Sequence, residues 1–151
     1  MTITLDIDAN TFASGLEAIF ARVKVPCQAA MANAFAGVVD SNFGSAGNEG
    51  QDRPIEWENL RSKKYAKRVG RTHATLELEG ELRSSVYVLP DGEDAAIVET
   101  LHSYAGTHQF GDTSRNIAER PFFPIMGNEV TEFTTQKCLE SCAAELERSL
   151  K

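Results

Sequence analysis

The order of hydrophobic and polar positions predicts strands at two places in the chain. Apolar residues occupy every second position of residues 2–7, so this segment is expected to form a strand with one buried face. Two β-prone runs, at residues 85–89 and 95–100, flank residues 90–94, whose proline, aspartates and glycine favour a turn. These runs predict a central antiparallel hairpin.

Helical spacing of apolar residues begins soon after the first predicted strand. Apolar residues lie three or four positions apart from Phe12 to Val23, and again from Ala30 to Phe43. Pro26 lies between the two runs, and an internal proline breaks or kinks a helix because it lacks an N–H and its ring clashes with the preceding turn. We therefore expect either a bent pair of helices or one kinked arm, with both apolar stripes facing the core.

Further helical segments are predicted in the rest of the chain. Residues 59–71 have cations on the outside of a helix, and a turn or short helix is expected near Gly80. Asn128 and Glu129 are expected to open a long C-terminal helix. The pattern thus predicts an α+β fold in which a small antiparallel sheet, made of the N-terminal strand and the central hairpin, is flanked by four or five helices.

The length of 151 residues suits a single domain over residues 1–151. Residues 44–56 are polar and glycine-containing, lack apolar periodicity and are expected to form a mobile loop. Trp57 stands at the edge of this loop, either as an anchor that closes it onto the core or as an exposed interface residue.

No apolar run approaches the roughly 20 residues that a membrane-spanning helix needs, and the first residues do not resemble a secretory signal. We therefore expect the protein to be located in the cytoplasm of the cell that makes it.

The charge of the chain is unevenly distributed. The net charge is −7, yet residues 59–74 hold 6 of the 15 cations and no acidic residue. An acidic body with one basic segment argues against general nucleic-acid affinity and suits docking on an acidic partner or on another copy. The residues expected to make such a charge-complementary contact are Lys63, Lys64, Lys67 and Arg68.

Candidate catalytic groups are few. His102 and His108 lie near Asp112 and Glu119 in sequence, so a site of two histidines and a carboxylate is conceivable, although no spacing enforces it. A hydrogen-bond network of His108 with Gln109 explains the residue without chemistry. The cysteines, which are Cys27, Cys138 and Cys142, are expected to be reduced and half-buried. We expect no metal, no cofactor and no enzymatic activity.

Two short motifs stand out in the second half of the chain. The first is the segment from Ser103 to Gly111, SYAGTHQFG, and the second is RPFFP, from Arg120 to Pro124. An arginine followed by a proline and two aromatic residues is typical of an interface anchor. The same sequence would also suit a strand end packed under the last helix.

The order of these features resembles the Mu-like phage virion morphogenesis family, also called the tail completion family. The resemblance covers roughly residues 43–127 and is most specific where His-Gln-Phe-Gly is followed by Arg-Pro-Phe. The chain departs from the family pattern at Glu79, at Gly106-Thr107 and at Glu119. The resemblance also includes residues 80–86, GELRSSV. The residues expected to form its interface or structural signature are Trp57, Leu60, Tyr104, His108, Gln109, Phe110, Gly111, Arg120, Pro121 and Phe122.

The resemblance implies a structural virion protein of a tailed phage or prophage that acts in tail completion or neck assembly. Such proteins have an α+β fold, form rings that are expected to be hexameric, and contact other neck, tail-tube or head-connector proteins. It implies assembly in the host cytoplasm, a final place in the virion, and neither a membrane partner nor a specific nucleic acid. The alternatives are a tail terminator or head–tail adaptor of the same machine, a small cytosolic metal-dependent hydrolase using His102 and His108, and a nucleic-acid binder using residues 59–71.

Overall fold

The computed structural model describes residues 9–44, 50–57, 63–69, 76, 80–92 and 95–151. The helices are α1 (Ala9–Phe43), α2 (Lys63–Val69), α3 (Glu81–Ser84), α4 (Ala105–Phe110) and α5 (Glu132–Ser149). The strands are β1 (Val86–Asp91), β2 (Ala95–Thr100), β3 (Ile125–Met126) and β4 (Glu129–Val130). The architecture is α+β and mostly helical, as the sequence predicts, with two long helices and two small antiparallel sheets.

Helix α1 is one continuous element of 35 residues with Pro26 inside it. Of the two alternatives, the bent pair of helices is therefore wrong, and residues 9–43 form a single helix. An internal proline costs a helix about 3 kcal/mol, so tertiary packing must offset it. Val23 and Cys27, on either side of Pro26, are both buried, and α5 packs antiparallel along this part of α1.

The central hairpin forms where the sequence predicts it. Strands β1 and β2 pair antiparallel from Val86↔Thr100 to Asp91↔Ala95, and α1 packs against both strands. Helix α3 begins directly after Gly80, where a turn or short helix is expected. The predicted strand at residues 2–7 lies outside the described residues.

The last helix begins later than the sequence predicts. Asn128 and Glu129 do not open it; they belong to a second small hairpin in which β3 and β4 pair antiparallel. Gly127 makes the turn with a φ of 63°, a left-handed conformation that glycine adopts without steric cost. Helix α5 starts only at Glu132.

The core lies where the C-terminal end of α1 meets the loops that follow α4. The rings of Phe43 and Phe122 are fully buried, with centroids 5.1 Å apart. The buried cluster comprises Val39, Phe43, Trp57, Leu82, Ala105 and Phe122. Within the described residues, no helix has the length and apolar character needed to span a bilayer.

Candidate functional site

A strap formed by residues 50–57 ties the end of α1 to the rest of the molecule. Asn42, which is fully buried, accepts a hydrogen bond from the Asp52 backbone N–H at 2.7 Å. Its Nδ2 donates to the carbonyls of Asp52 at 2.9 Å and Phe122 at 3.0 Å. The sequence predicts a mobile loop over residues 44–56, and its mobility stays a prediction. In the structure, residues 51–53 hydrogen-bond to the end of α1, and residues 45–49 lie outside the described residues.

Arg53 caps the C-terminal end of α1. Its guanidinium donates to the carbonyls of Asn42, at 2.6 and 2.9 Å, and of Gly44, at 2.5 Å. A cation at this end also complements the negative pole of the helix dipole. The guanidinium carbon lies 3.9 Å from the centre of the Trp57 ring, a cation–π contact.

The same strap caps the beginning of α5. The Asp52 carboxylate accepts hydrogen bonds from the Thr134 backbone N–H at 3.2 Å and its hydroxyl at 2.6 Å, and from the Thr131 hydroxyl. A carboxylate that accepts from the first turn pairs an otherwise unpaired N–H group. One short segment therefore holds the end of α1 and the start of α5 together.

Trp57 is an anchor and not an exposed contact. Its side chain is buried, and its indole Nε1 donates to the Pro121 carbonyl at 3.2 Å. The strap and the Arg-Pro-Phe motif are joined by this bond. Leu60, its predicted companion, lies outside the described residues.

Gln109 joins the two sequence motifs from the other side. Its Oε1 accepts hydrogen bonds from the backbone N–H groups of Phe122 at 3.1 Å and Phe123 at 3.0 Å, and its Nε2 donates to the Phe123 carbonyl at 3.3 Å. The Arg120 N–H donates to the His108 carbonyl at 2.6 Å. Gln109 is buried, so this side chain replaces the strand pairing that these backbone groups would otherwise need.

Gly111 permits the two motifs to approach each other closely. Its φ is 73°, and a Cβ placed on it would lie 3.0 Å from the Glu119 backbone nitrogen and 3.1 Å from the Ile117 carbonyl oxygen. Both the conformation and the contact favour glycine. The His-Gln-Phe-Gly and Arg-Pro-Phe motifs therefore meet, and Pro121 and Phe122 at their junction are buried.

The rings of His102 and His108 both pack against the ring of Tyr104. The His102 ring centroid is 3.9 Å and the His108 ring centroid 5.5 Å from that of Tyr104. His102 Nε2 is 3.6 Å from a Glu81 carboxylate oxygen. Burial, together with the positive charge of Arg120, lowers the pKa of His108, which favours the neutral ring. In the described part of the chain, no three histidine, cysteine, aspartate or glutamate side chains are grouped so as to hold a metal ion.

Three buried nitrogen atoms of this region have no hydrogen-bond partner among the described residues: His102 Nδ1, His108 Nδ1 and Arg120 Nε. The sequence suggests a buried or interfacial hydrogen-bond network of His108 with Gln109, and in the structure the Gln109 side chain bonds to the backbone of residues 122 and 123. His108 takes part through its backbone carbonyl and its ring contact instead.

Phe110 points away from the core. It is 79% exposed, whereas its neighbour Gln109 is 9% exposed. Together with Ile55, Ile125 and Met126 it lines an open groove of about 970 Å³ between α4, the strap and the β3–β4 hairpin. Phe122 lies at the floor of this groove. The four side chains at its edges expose between 37% and 79% of their surface. We call this feature the apolar groove.

The cationic side chains of α2 are exposed. These are Lys63, Lys64, Lys67 and Arg68. The helix predicted over residues 59–71 is described for residues 63–69.

The three cysteines lie between α1 and α5 and, in the part of the chain that the structure describes, are free thiols. Cys27 Sγ is 3.7 Å from the Cys142 carbonyl oxygen, and burial raises the pKa of Cys27.

The sequence pattern identified Trp57, Gln109 and the Arg-Pro-Phe motif, but it missed the polar residues that join them. Asn42, Asp52 and Arg53 are separated by no more than 11 positions, yet nothing in apolar periodicity marks them. The one signal in the sequence that could have pointed to them is Asn42, a polar residue beside Phe43 at the end of the apolar helix stripe.

Comparison of the chain with protein-family models, with curated proteins and with solved structures finds no match. The geometry of the described residues and the sequence resemblance are therefore the basis for a functional proposal.

Proposed function

We propose that this chain is a structural virion protein of a tailed phage or prophage, and that it acts as a ring component in tail completion or neck assembly at the head–tail junction. The proposal rests first on the sequence resemblance to the tail completion family. The observation that carries it is the apolar groove. Phe110, a residue of the resembling motif, is 79% exposed there, and a contiguous exposed apolar surface on a protein of this size is typical of a binding site.

The roles of the other motif residues support an assembly function. Gln109 and Trp57 bond to the backbone of residues 121–123, and Gly111 allows the close approach of residues 117–119. Their effect is to build a rigid groove floor around Phe122 and to present Phe110 at its edge. A rigid site with an exposed aromatic anchor is the usual form of a protein–protein contact.

The exposed cations of α2 offer a second contact. A ring requires head-to-tail interfaces that close, and the acidic body of one copy complements the basic helix of the next. Replacing Lys63, Lys64 and Lys67 with glutamate should therefore slow assembly at low salt, because exposed charges mainly affect the rate of association.

Deletion of the coding sequence from the phage or prophage that carries it tests the function. We expect separate heads and tails or tails without a finished end, seen by electron microscopy, and recovery when the intact chain is supplied. Labelling of the protein in wild-type particles should place it at the neck. Normal infectious particles in its absence would contradict the proposal.

A further inference from the structure

The N-terminal part of α1 extends beyond the helix against which it packs. The Arg22 guanidinium donates to the carbonyl of Ser149, the last residue of α5, at 2.7 Å. Residues 9–21 therefore continue past the end of α5 for about 20 Å of helix. All of residues 13–22 are exposed. We call residues 13–22 the arm.

The arm has an apolar stripe that no described element covers. Leu16, Ile19 and Phe20 lie on one helix face, in line with the buried Val23. They expose 39%, 39% and 66% of their surface. An isolated helix as short as the arm is only marginally stable in water unless its apolar face is packed against another surface. We therefore expect a binding partner to cover this stripe.

The geometry points to the apolar groove of a second copy as that partner: we propose that the arm of one protomer seats Leu16, Ile19 and Phe20 between α4 and the β3–β4 hairpin of the next. This inference rests on the proposed ring assembly and names the contact that would build it.

The arm cannot fill the groove of its own chain. Phe43, at the far end of α1, packs against Phe122 at the groove floor, with ring centroids 5.1 Å apart. Phe20 precedes Phe43 by 23 positions in one continuous helix, which separates them by about 35 Å. The contact is therefore between molecules, and because it joins two different surfaces it is head-to-tail, the arrangement that builds rings.

Area and charge fit a contact between these two surfaces. A large aromatic side chain buries 150–250 Å², so the exposed parts of Phe20 and Phe110 together offer roughly 200 to 400 Å², up to about a quarter of a standard interface of ~1,600 Å². Residues 13–24 carry two cations and one acid. The exposed Glu119 lines the groove, and the exposed Glu56 and Glu129 directly follow groove residues in the sequence.

Two complementary variants test the contact. Phe20→Asp removes the arm anchor and keeps the groove, whereas Phe110→Asp removes the groove anchor and keeps the arm. Both side chains are mostly exposed, so both variants should fold. Each should weaken self-association roughly 30-fold or more, the loss typical of an aromatic hot spot, measured by light scattering and sedimentation up to millimolar concentration.

Mixing the two variants identifies the geometry. The arm of Phe110→Asp can still enter the groove of Phe20→Asp, so the mixture should form a heterodimer that does not grow further. Leu89→Asp, on β1 away from both surfaces and 41% exposed, is the matched control and should assemble as the wild type does.

Three results would overturn the inference. Unchanged assembly of Phe110→Asp would point to arm–arm pairing, and unchanged assembly of Phe20→Asp would exclude the arm. A wild-type protein that stays monomeric up to millimolar concentration would exclude a contact between copies. The deletion experiment is independent of all three, so the proposed function can stand or fail separately.

Discussion

Residues 23–43 of α1 pack against α5, the β1–β2 hairpin and the core, whereas residues 13–22 of the same helix are exposed. Both parts carry apolar residues at helical spacing. Val39 and Phe43 are 0% exposed, and Phe20 is 66% exposed. The difference shows that an apolar stripe defines a surface which requires a partner but does not say which molecule supplies it. In one half the partner is the same chain; for the other half we propose a second copy.

Truncating one aromatic residue in each region should give the largest difference in the free energy of unfolding between a variant of the packed region and a variant of the arm. Phe122→Ala removes a fully buried ring from the core against which α1 ends, and should lower the free energy of unfolding by about 3–5 kcal/mol. Phe20→Ala should change it by less than about 0.5 kcal/mol in dilute protein and should weaken self-association instead. Chemical denaturation at low concentration measures the first effect and light scattering the second. Equal losses of stability would show that the arm is packed within its own molecule.

A polar pair on α1 should give the next largest effect. Asn42→Ala leaves buried backbone groups of Asp52 and Phe122 without a partner and should cost about 1–3 kcal/mol. Asn33→Ala, at an exposed position of the same helix, is the control and should stay within about 0.5 kcal/mol of the wild type. Urea denaturation measures both. A neutral Asn42→Ala would mean that the strap does not hold the packed end of α1.

Two glycines allow the helix itself to be compared in its two environments. Gly15 lies in the arm and Gly37 in the packed part, and a Cβ at either would meet nothing within 4 Å. Gly37→Ala should raise the free energy of unfolding by about 0.5–1 kcal/mol. Gly15→Ala should leave global unfolding unchanged and slow amide hydrogen exchange in the arm, because the arm can fray without unfolding the core. A gain of global stability in Gly15→Ala would contradict the separation of the two regions.

Lowering the pH should produce the smallest effect and should act through His108 in α4 rather than through the arm, since residues 13–22 contain no histidine. The pKa of His108 in α4 is lowered by burial and by Arg120, so the unfolded chain binds more protons than the folded chain between that lowered pKa and about 6.5. Stability from this group is therefore present above about pH 6.5 and is lost as the pH falls through the window. His108→Gln should flatten this part of the pH profile measured by denaturation. An unchanged profile would assign the dependence to another group.

The central hairpin was predictable because its signals are local. Residues 90–94 combine turn-forming residues between two β-prone runs, and β1 and β2 pair there, with Pro90 and Asp91 included at the end of β1. The start of α5 was not predictable in the same way. Asn128 and Glu129 look like a helix start, but the first turn of α5 is capped by Asp52, which lies 82 positions before Thr134.

The candidate site was predictable in its residues but not in their roles. Gln109 and Phe110 are neighbours in one motif, yet one is buried and bonded to the backbone of residues 122 and 123, and the other is exposed at the groove. Successive residues of a helix point in different directions, so a motif alone cannot say which member faces the core. Gln109 is buried and Phe110 is exposed because the Arg-Pro-Phe segment packs on the side of α4 that carries Gln109.

The sequence by itself determined the α+β class, the position of the central hairpin and a helix in the basic segment. These features follow from short-range periodicity and turn chemistry, which act over a few residues. Only the tertiary structure decided that α1 continues through Pro26, that the strap caps two helices at once, and that Phe20 and Phe110 face outward while Phe43 and Phe122 do not. Such outcomes depend on which surfaces meet across long stretches of chain, and packing between distant segments, not local preference, supplies their free energy.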